Sequence, residues 1–280
     1  MKTLLIVSCL LCFLPVHAQN QEELQALTHV YNYVGASMVQ LADPYLSVLN
    51  YTGYGIRAEY SAYKYFNPEN PSLTQYHRLV GTGAYTLNPA STALITYLDA
   101  NAAYGVLYEY RDLNNIVLHA GGNMDVDFAF KMNSRNINNP TNIDLSTNLN
   151  AMLGVRYDIP TKKRVLKLGT QIEFPMIGCM FVPYPGLTYY EMYKAKRIGE
   201  AVHFSSLHNK QGIKQRLTFE VPFNHTEWSF GVLMHLMKFQ AGEQPHQLHE
   251  FSLFFGVHYD VIRFAGRKSK RPENFISPGL

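Results

Sequence analysis

Apolar and polar residues alternate with a period of two along nearly the whole chain, which is the pattern of half-buried β-strands. The clearest segment is Ile116–Asn133. Ile116, Leu118, Ala120, Met124, Val126, Phe128, Phe130 and Met132 fall on one face, and His119, Asn123, Asp125, Asp127, Lys131 and Asn133 on the other. The next segment sets Leu145, Leu149, Leu153, Val155 and Tyr157 against Ser146, Asn148, Asn150 and Arg156. The same rule orders Gly53–Phe66, Leu98–Arg111, Leu166–Met176 and Glu250–Val261, while Thr74–Leu87 and Trp228–Gln240 alternate less cleanly. Several of these runs exceed ten residues, whereas strands of soluble proteins average about 5–6. A membrane-crossing strand needs about 9–11 residues at its usual tilt.

Aromatic residues at the ends of the apolar faces (Tyr60, Phe66, Tyr108, Tyr110, Trp228 and Phe230) suit the interfacial girdles of membrane barrels. Short connections at 111–115, 158–163 and 224–226 alternate with longer polar ones at 133–143, 180–213 and 241–247. In bacterial barrels the short turns face the periplasm and the long loops face outward. This assignment makes His29–Leu41 a first strand and places both ends of the barrel in the periplasm. The expected fold is all-β, a closed antiparallel up-and-down transmembrane β-barrel of about ten strands, with eight as the alternative.

The N-terminus explains how such a chain would reach a membrane. Lys2, an apolar run from Leu4 to Val16 and the sequence Val16-His17-Ala18 form a secretory leader, with cleavage expected after Ala18. The run is too short to span a bilayer as a helix. The expected organisation is therefore a signal peptide at 1–18, a periplasmic segment at 19–28, the barrel at 29–264 and a basic periplasmic tail at 265–280 around Arg267-Lys268-Ser269-Lys270-Arg271. The expected location is the outer membrane of a Gram-negative bacterium. Cys9 and Cys12 lie in the leader, so Cys179 remains alone and no internal disulfide forms.

With 47% hydrophobic residues, 16% charged residues and a formal net charge of +3, the chain offers no electrostatic case for nucleic acid. Its mean hydropathy of −0.14 is too low for a polytopic helical membrane protein. Outer-membrane lipid is the expected environment, with an unidentified surface or periplasmic partner; no cofactor and no metal are expected.

The polar faces would line the lumen. They carry Arg57, Glu59, Asp99, Glu109, His119, Asp125, Asp127, Lys131, Arg156, Lys167 and Glu173, together with Arg111, Arg216 and Glu220. In a narrow barrel such charges can cross-pair and fill the interior. The Asp125/Asp127 pair has the oxygen ligands a hard cation wants, but solvation or pairing with Arg156 on the next strand is the expectation. Ser252, His258 and Asp260 share one face of the last strand and are the candidates for nucleophilic catalysis. Ser252 and His258 lie six residues apart, about 20 Å along a strand at ~3.3 Å per residue, so they cannot form a dyad. The long 183–213 connection carries Tyr189, Tyr190, Glu191 and Tyr193, candidates for binding at the barrel mouth.

Three groups of residues also carry a family likeness. Asp43-Pro44-Tyr45-Leu46-Ser47 is followed by Tyr51-Thr52-Gly53 and Ile56-Arg57. Ser134-Arg135-Asn136 with Asn138-Asn139-Pro140, the run Gly178–Phe181 and Tyr189-Tyr190-Glu191-Met192-Tyr193 come later. Together they resemble a family of uncharacterised small outer-membrane β-barrels, a domain of unknown function from Gram-negative anaerobes of the gut type. The resemblance implies a barrel and a compartment and brings no activity. The expected role is structural, or ligand and partner binding through long outer loops. The alternatives are a narrow channel for small polar solutes and a barrel-embedded lipid hydrolase.

Overall fold

The computed structural model describes residues 25–183, 187–223, 226–241, 244–261 and 275–278. The leader and the basic run at 267–271 lie outside them. Ten antiparallel strands form a closed barrel: β1 Thr28–Ala42, β2 Asn50–Tyr65, β3 Leu73–Leu87, β4 Leu94–Leu113, β5 Ile116–Asn133, β6 Thr141–Pro160, β7 Val165–Phe181, β8 Lys210–Phe223, β9 Thr226–Ala241 and β10 Gln244–Val261. Each strand pairs with its neighbour in sequence, β10 returns to β1, and β7 pairs with β8. Closure removes the free edges that lipid cannot satisfy.

The strand faces are those of a barrel in lipid, polar inside and apolar outside. On β2, Tyr54 is 76% exposed and Ile56 66%, while Glu59 is 6% exposed. Leu98, Met124, Phe128, Leu153 and Leu253 likewise face outward. Tyr60, Tyr108, Tyr110, Trp228 and Phe230 form an exposed aromatic belt toward one end, where Trp228 packs against Phe223 and Phe255. Tyr54 and Tyr85, paired across β2 and β3, stand nearer the other end.

The two ends differ. At one, here the terminal end, the connections are 66–72, 114–115, 161–164 and 224–225, and the parallel pair Gln25–Ala26 with Phe275–Ile276 lies beside them. Asn115 takes φ 59° in the two-residue β4–β5 turn, a left-handed conformation that asparagine tolerates. At the other, the cap end, the connections are 43–49, 88–93, 134–140, 182–209 and 242–243. The 241–247 connection expected to be long is thus mostly strand, since β9 runs to Ala241 and β10 begins at Gln244.

The 183–213 segment is also not a plain loop. It contains the helix Tyr189–Lys194 (α1), a 3₁₀ turn at Ile198–Ala201 and a short strand at Val202–Ser206, and β8 already begins at Lys210. Pro175 explains this. It sits where the β6–β7 register slips between Leu149 and Asn150, a bulge that suits a residue without an N–H. Below the slip, Lys167–Glu173 of β7 pairs with β8; above it, Ile177–Phe181 pairs with Val202–Ser206. The long connection thus returns as a strand that covers the edge β8 leaves open.

Inward glycines let β2 and β3 approach closely. A Cβ on Gly53 would lie 1.8 Å from the Tyr85 carbonyl oxygen. Gly53→Val is therefore expected to cost about 3 kcal/mol or more, above the usual overpacking range because backbone must move. On an unboiled gel it should lose the compact band that the wild type keeps; an unchanged band and melting temperature would contradict this packing.

Candidate functional site

The interior is filled in three tiers. The middle tier is ionic. Arg78 of β3 donates from both terminal nitrogens to Glu173 of β7, at 2.8 and 3.0 Å. Arg216 of β8 reaches Glu59 of β2 at 2.5 and 2.6 Å. Three strands separate the partners in each case, so both pairs cross the lumen. Arg57 bonds Glu250 at 3.0 Å, and Lys214 lies 3.8 Å from Asp125 and 3.7 Å from Glu173. Arg57, Arg78, Lys214 and Arg216 therefore balance Glu59, Asp125, Glu173 and Glu250. The cavity beside this network measures about 20 Å³, room for about one water.

The tier toward the terminal end is aromatic: Tyr31, Tyr33, Tyr63, Tyr76, Leu107, Met152, Leu233 and Phe254 pack as one cluster. The Arg216 guanidinium lies over the Tyr33 and Phe254 rings, 5.3 and 5.6 Å from their centroids, and joins this tier to the ionic one.

The tier toward the cap end is an apolar cluster of Val39, Leu41, Tyr45, Leu46, Tyr51, Ile95 and Tyr97, with Tyr189 packed against it. At its centre is Asp43, 1% exposed, which continues the inward series of β1 past Leu41. One Asp43 oxygen accepts from Lys131 Nζ at 2.9 Å and Asn142 Nδ2 at 2.7 Å, and the other accepts from the Tyr45 N–H at 3.0 Å. His246 Nδ1 is 3.8 Å away, and Lys131 also bonds Asp144. Burial alone would raise the Asp43 carboxyl, but the Lys131 ammonium and the donated hydrogen bonds hold it below the usual carboxylate range.

The motif residues singled out in the sequence meet here. Tyr45 donates to the Leu187 carbonyl at 3.0 Å, and the Leu46 carbonyl accepts from Asn133 and Asn136 at 3.2 and 3.0 Å. Tyr189 donates to Asn142 Oδ1 and accepts from the Ile143 N–H, both at 2.8 Å, and stacks on Phe181. Burial pushes the Tyr189 hydroxyl pKa up. Tyr189 is thus an anchor of the cap rather than a free binding group, while Tyr190, Glu191 and Tyr193 are exposed. Thr188 and Glu191 form a reciprocal capping box at the start of α1, and the Thr188 N–H holds the Glu191 carboxyl below its ordinary range.

The remaining expected lumen residues take local partners. Asp125 accepts from Asn148 and Asn150 at 2.7 and 2.9 Å, and Arg156 pairs with Asp158 at 2.8 Å instead of Asp125. The register is the reason: Asp125 faces Asn148, eight residues along β6 from Arg156. Glu109 accepts from Thr74 at 2.5 Å and pairs with Arg111. Asn101 reaches Asp127 at 3.5 Å, Asp99 is half-buried on the same face, and His119 is buried above Arg156.

The catalytic candidates do not assemble. Ser252 Oγ bonds Ser37 at 2.7 Å and Glu250 at 2.9 Å. His258 and Asp260 lie at the terminal end instead, where a vestibule of about 610 Å³ is lined by His29, Lys163, Arg164, Glu227, His258, Tyr259 and Asp260. His29 Nδ1 bonds Asp260 at 2.7 Å, and Lys167 bonds both Glu227 oxygens at 3.0 and 2.8 Å. Sequence reasoning did not single out His29, Asp43, Arg78, Lys214 or His246 as site residues. For Asp43 the inward phase of β1 was a usable signal.

The fold and its inverted polarity define a transmembrane β-barrel with a filled interior. Within that class, the chain belongs to the family described as a protein of unknown function (DUF3316), whose model matches residues 3–268. No curated protein matches the sequence. Among solved structures, it is similar to the outer membrane protease OmpT from Escherichia coli, with 6% identity and a TM-score of 0.47 over 88% of this chain and 99% of that one. It is also similar to Neisserial surface protein A, with 9% identity and a TM-score of 0.37 over 82% and 96%. The translocator domain of the autotransporter NalP from Neisseria meningitidis gives 9% identity and a TM-score of 0.41 over 85% and 88%.

The Asp43 node yields a pH dependence. Its folded pKa is lowered, so its stabilisation is present above the ordinary carboxylate pKa of about 3.9 and is lost as pH falls through the folded value. Asp43→Asn should lower the melting temperature at pH 7 by several degrees, with the gap to wild type closing below about pH 4. A gap that stays constant with pH would contradict the role given to the ionised carboxylate.

Proposed function

We propose that this protein is an outer-membrane barrel with an occluded lumen that acts as a structural or partner-binding body and displays its cap at the cell surface. The observation that carries this reading is the convergence of the 43–47, 133–142 and 187–192 segments on Asp43, which folds the longest connection into a lid over the mouth. A solute pathway would gain nothing from a charge-balanced network whose Arg–Glu pairs cross the interior, so the channel reading is the weaker one. A hydrolase reading lacks a histidine hydrogen-bonded to Ser252 among the described residues; its partners are Ser37 and a Glu250 carboxylate already held by Arg57.

In this reading the cap end faces outward and the terminal end faces the periplasm, following the rule of long outer loops and short periplasmic turns. Tyr190 and Tyr193, 66% and 70% exposed on α1, are the aromatic surface offered to a partner, with Lys194, Lys196 and Arg197 beside them. Exposed aromatics flanked by cations suit an amphipathic polar partner such as a glycan or a lipid headgroup.

Trypsin added to intact cells tests the display. Cleavage should fall at Lys194, Lys196 or Arg197 and leave the terminal end uncut until the cells are lysed. Protection of those bonds in intact cells, with cleavage only after lysis, would overturn the outward assignment of the cap.

A further inference from the structure

The terminal-end vestibule carries a second cluster that the occluded-barrel reading does not use. Pairing of β9 with β10 sets Glu227 opposite His258, and pairing of β10 with β1 sets Asp260 opposite His29. One nitrogen of each histidine and one Glu227 oxygen lie within 4.8 Å of one another. Asp260 fixes His29. It accepts from Nδ1 at 2.7 Å and is itself held by the Ser277 hydroxyl at 2.5 Å. With Nδ1–H donating to that carboxylate, His29 presents the Nε2 lone pair to the cluster.

That Nε2 atom is buried and has no hydrogen-bond partner among the described residues. His258 is fully buried, and neither of its ring nitrogens has such a partner. Buried polar atoms are nearly always paired, so two imidazoles left open at one point call for a ligand that takes lone pairs. Glu220 stands behind them, with one oxygen 3.9 Å from His258 Nδ1 and the other 4.0 Å from Lys167 Nζ without a hydrogen bond. The vestibule supplies the way in.

We propose that His29, His258 and Glu227 bind a divalent transition cation of the zinc type. Two imidazole nitrogens and a carboxylate make a borderline donor set that suits zinc over calcium or magnesium, which take oxygen ligands. Three protein ligands leave a coordination position open to the vestibule. The aspartate behind His29 is the carboxylate–histidine arrangement that orients a metal-binding ring. Lys167 shares Glu227 with the ion, because each carboxylate oxygen keeps a second lone pair. Donor atoms must close to about 2.0–2.2 Å from the ion, and Glu227, half-buried at the vestibule wall, is the ligand placed to move.

The alternative role for these rings is packing, since His258 and His29 lie 3.9 and 4.7 Å from Tyr31, centroid to centroid. Zinc titration separates the two. The detergent-refolded chain, stripped with chelator, is titrated with zinc sulfate by calorimetry, and the compact gel band verifies that each variant is folded. Wild type should take one zinc per chain. His29→Gln, His258→Gln and Glu227→Gln should each weaken binding at least tenfold, and Asp260→Asn by about 10- to 100-fold. His208→Gln, at the cap end, should leave it unchanged. If a histidine variant fails to fold, a zinc-dependent rise in the melting temperature of wild type that Glu227→Gln abolishes serves the same purpose. Absence of saturable zinc binding to folded wild type, or binding that these variants leave intact, would overturn the proposal.

Discussion

The structure depends on one constraint: a charge inside a narrow barrel has little water to face and must find its counter-charge on another strand. Arg78 with Glu173 and Arg216 with Glu59 meet it by reaching across three intervening strands. A buried pair of this kind adds little net stability, because desolvation offsets the attraction. Removing one partner is costly all the same, about 3–5 kcal/mol, since it strands a buried charge. The pairs therefore act chiefly on shape. They fix which faces of distant strands oppose one another, and they leave the interior filled at mid-height.

The other tiers follow from that placement. Below the ionic network the barrel closes on tyrosines, and Arg216 serves both tiers through Glu59 on one side and the Tyr33 and Phe254 rings on the other. Above it, Asp43 repeats the same solution at the mouth, pairing with Lys131 while Asn142 and a backbone N–H complete its shell. The lid is thus held by the kind of contact that fills the lumen. Its outward residues, Tyr190 and Tyr193, stay uncommitted to the fold.

The barrel itself was legible in the sequence because the period-two pattern survives on most strands, and the order of long and short connections led to ten. The site was harder to read. On β3 the inward residues include Tyr76, Val80 and Ala84 while Gln75 and His77 point outward, so the phase that buries Arg78 was blurred. The partner of Asp125 depended on strand register, which sequence alone does not carry. The 182–209 connection reads as a loop because its pieces are short: a six-residue helix, a 3₁₀ turn and a five-residue strand that pairs with β7 only past the register slip beside Pro175. Asp43 and Tyr45 were visible as parts of a motif, but their meeting with Asn142 and Tyr189 is made by the fold alone.

The most direct measurement of the central claim is ion conductance of the purified barrel in a planar bilayer. A lumen filled by cross-strand ion pairs predicts no stepwise conductance from the wild type. Steps should appear only when replacement of Glu59, Arg78, Glu173 and Arg216 by serine is combined with opening of the tyrosine tier and the lid, in a chain that still gives a compact unboiled band. Regular steps from the wild type would contradict the account, because ions would then be passing through an interior that these pairs are held to close.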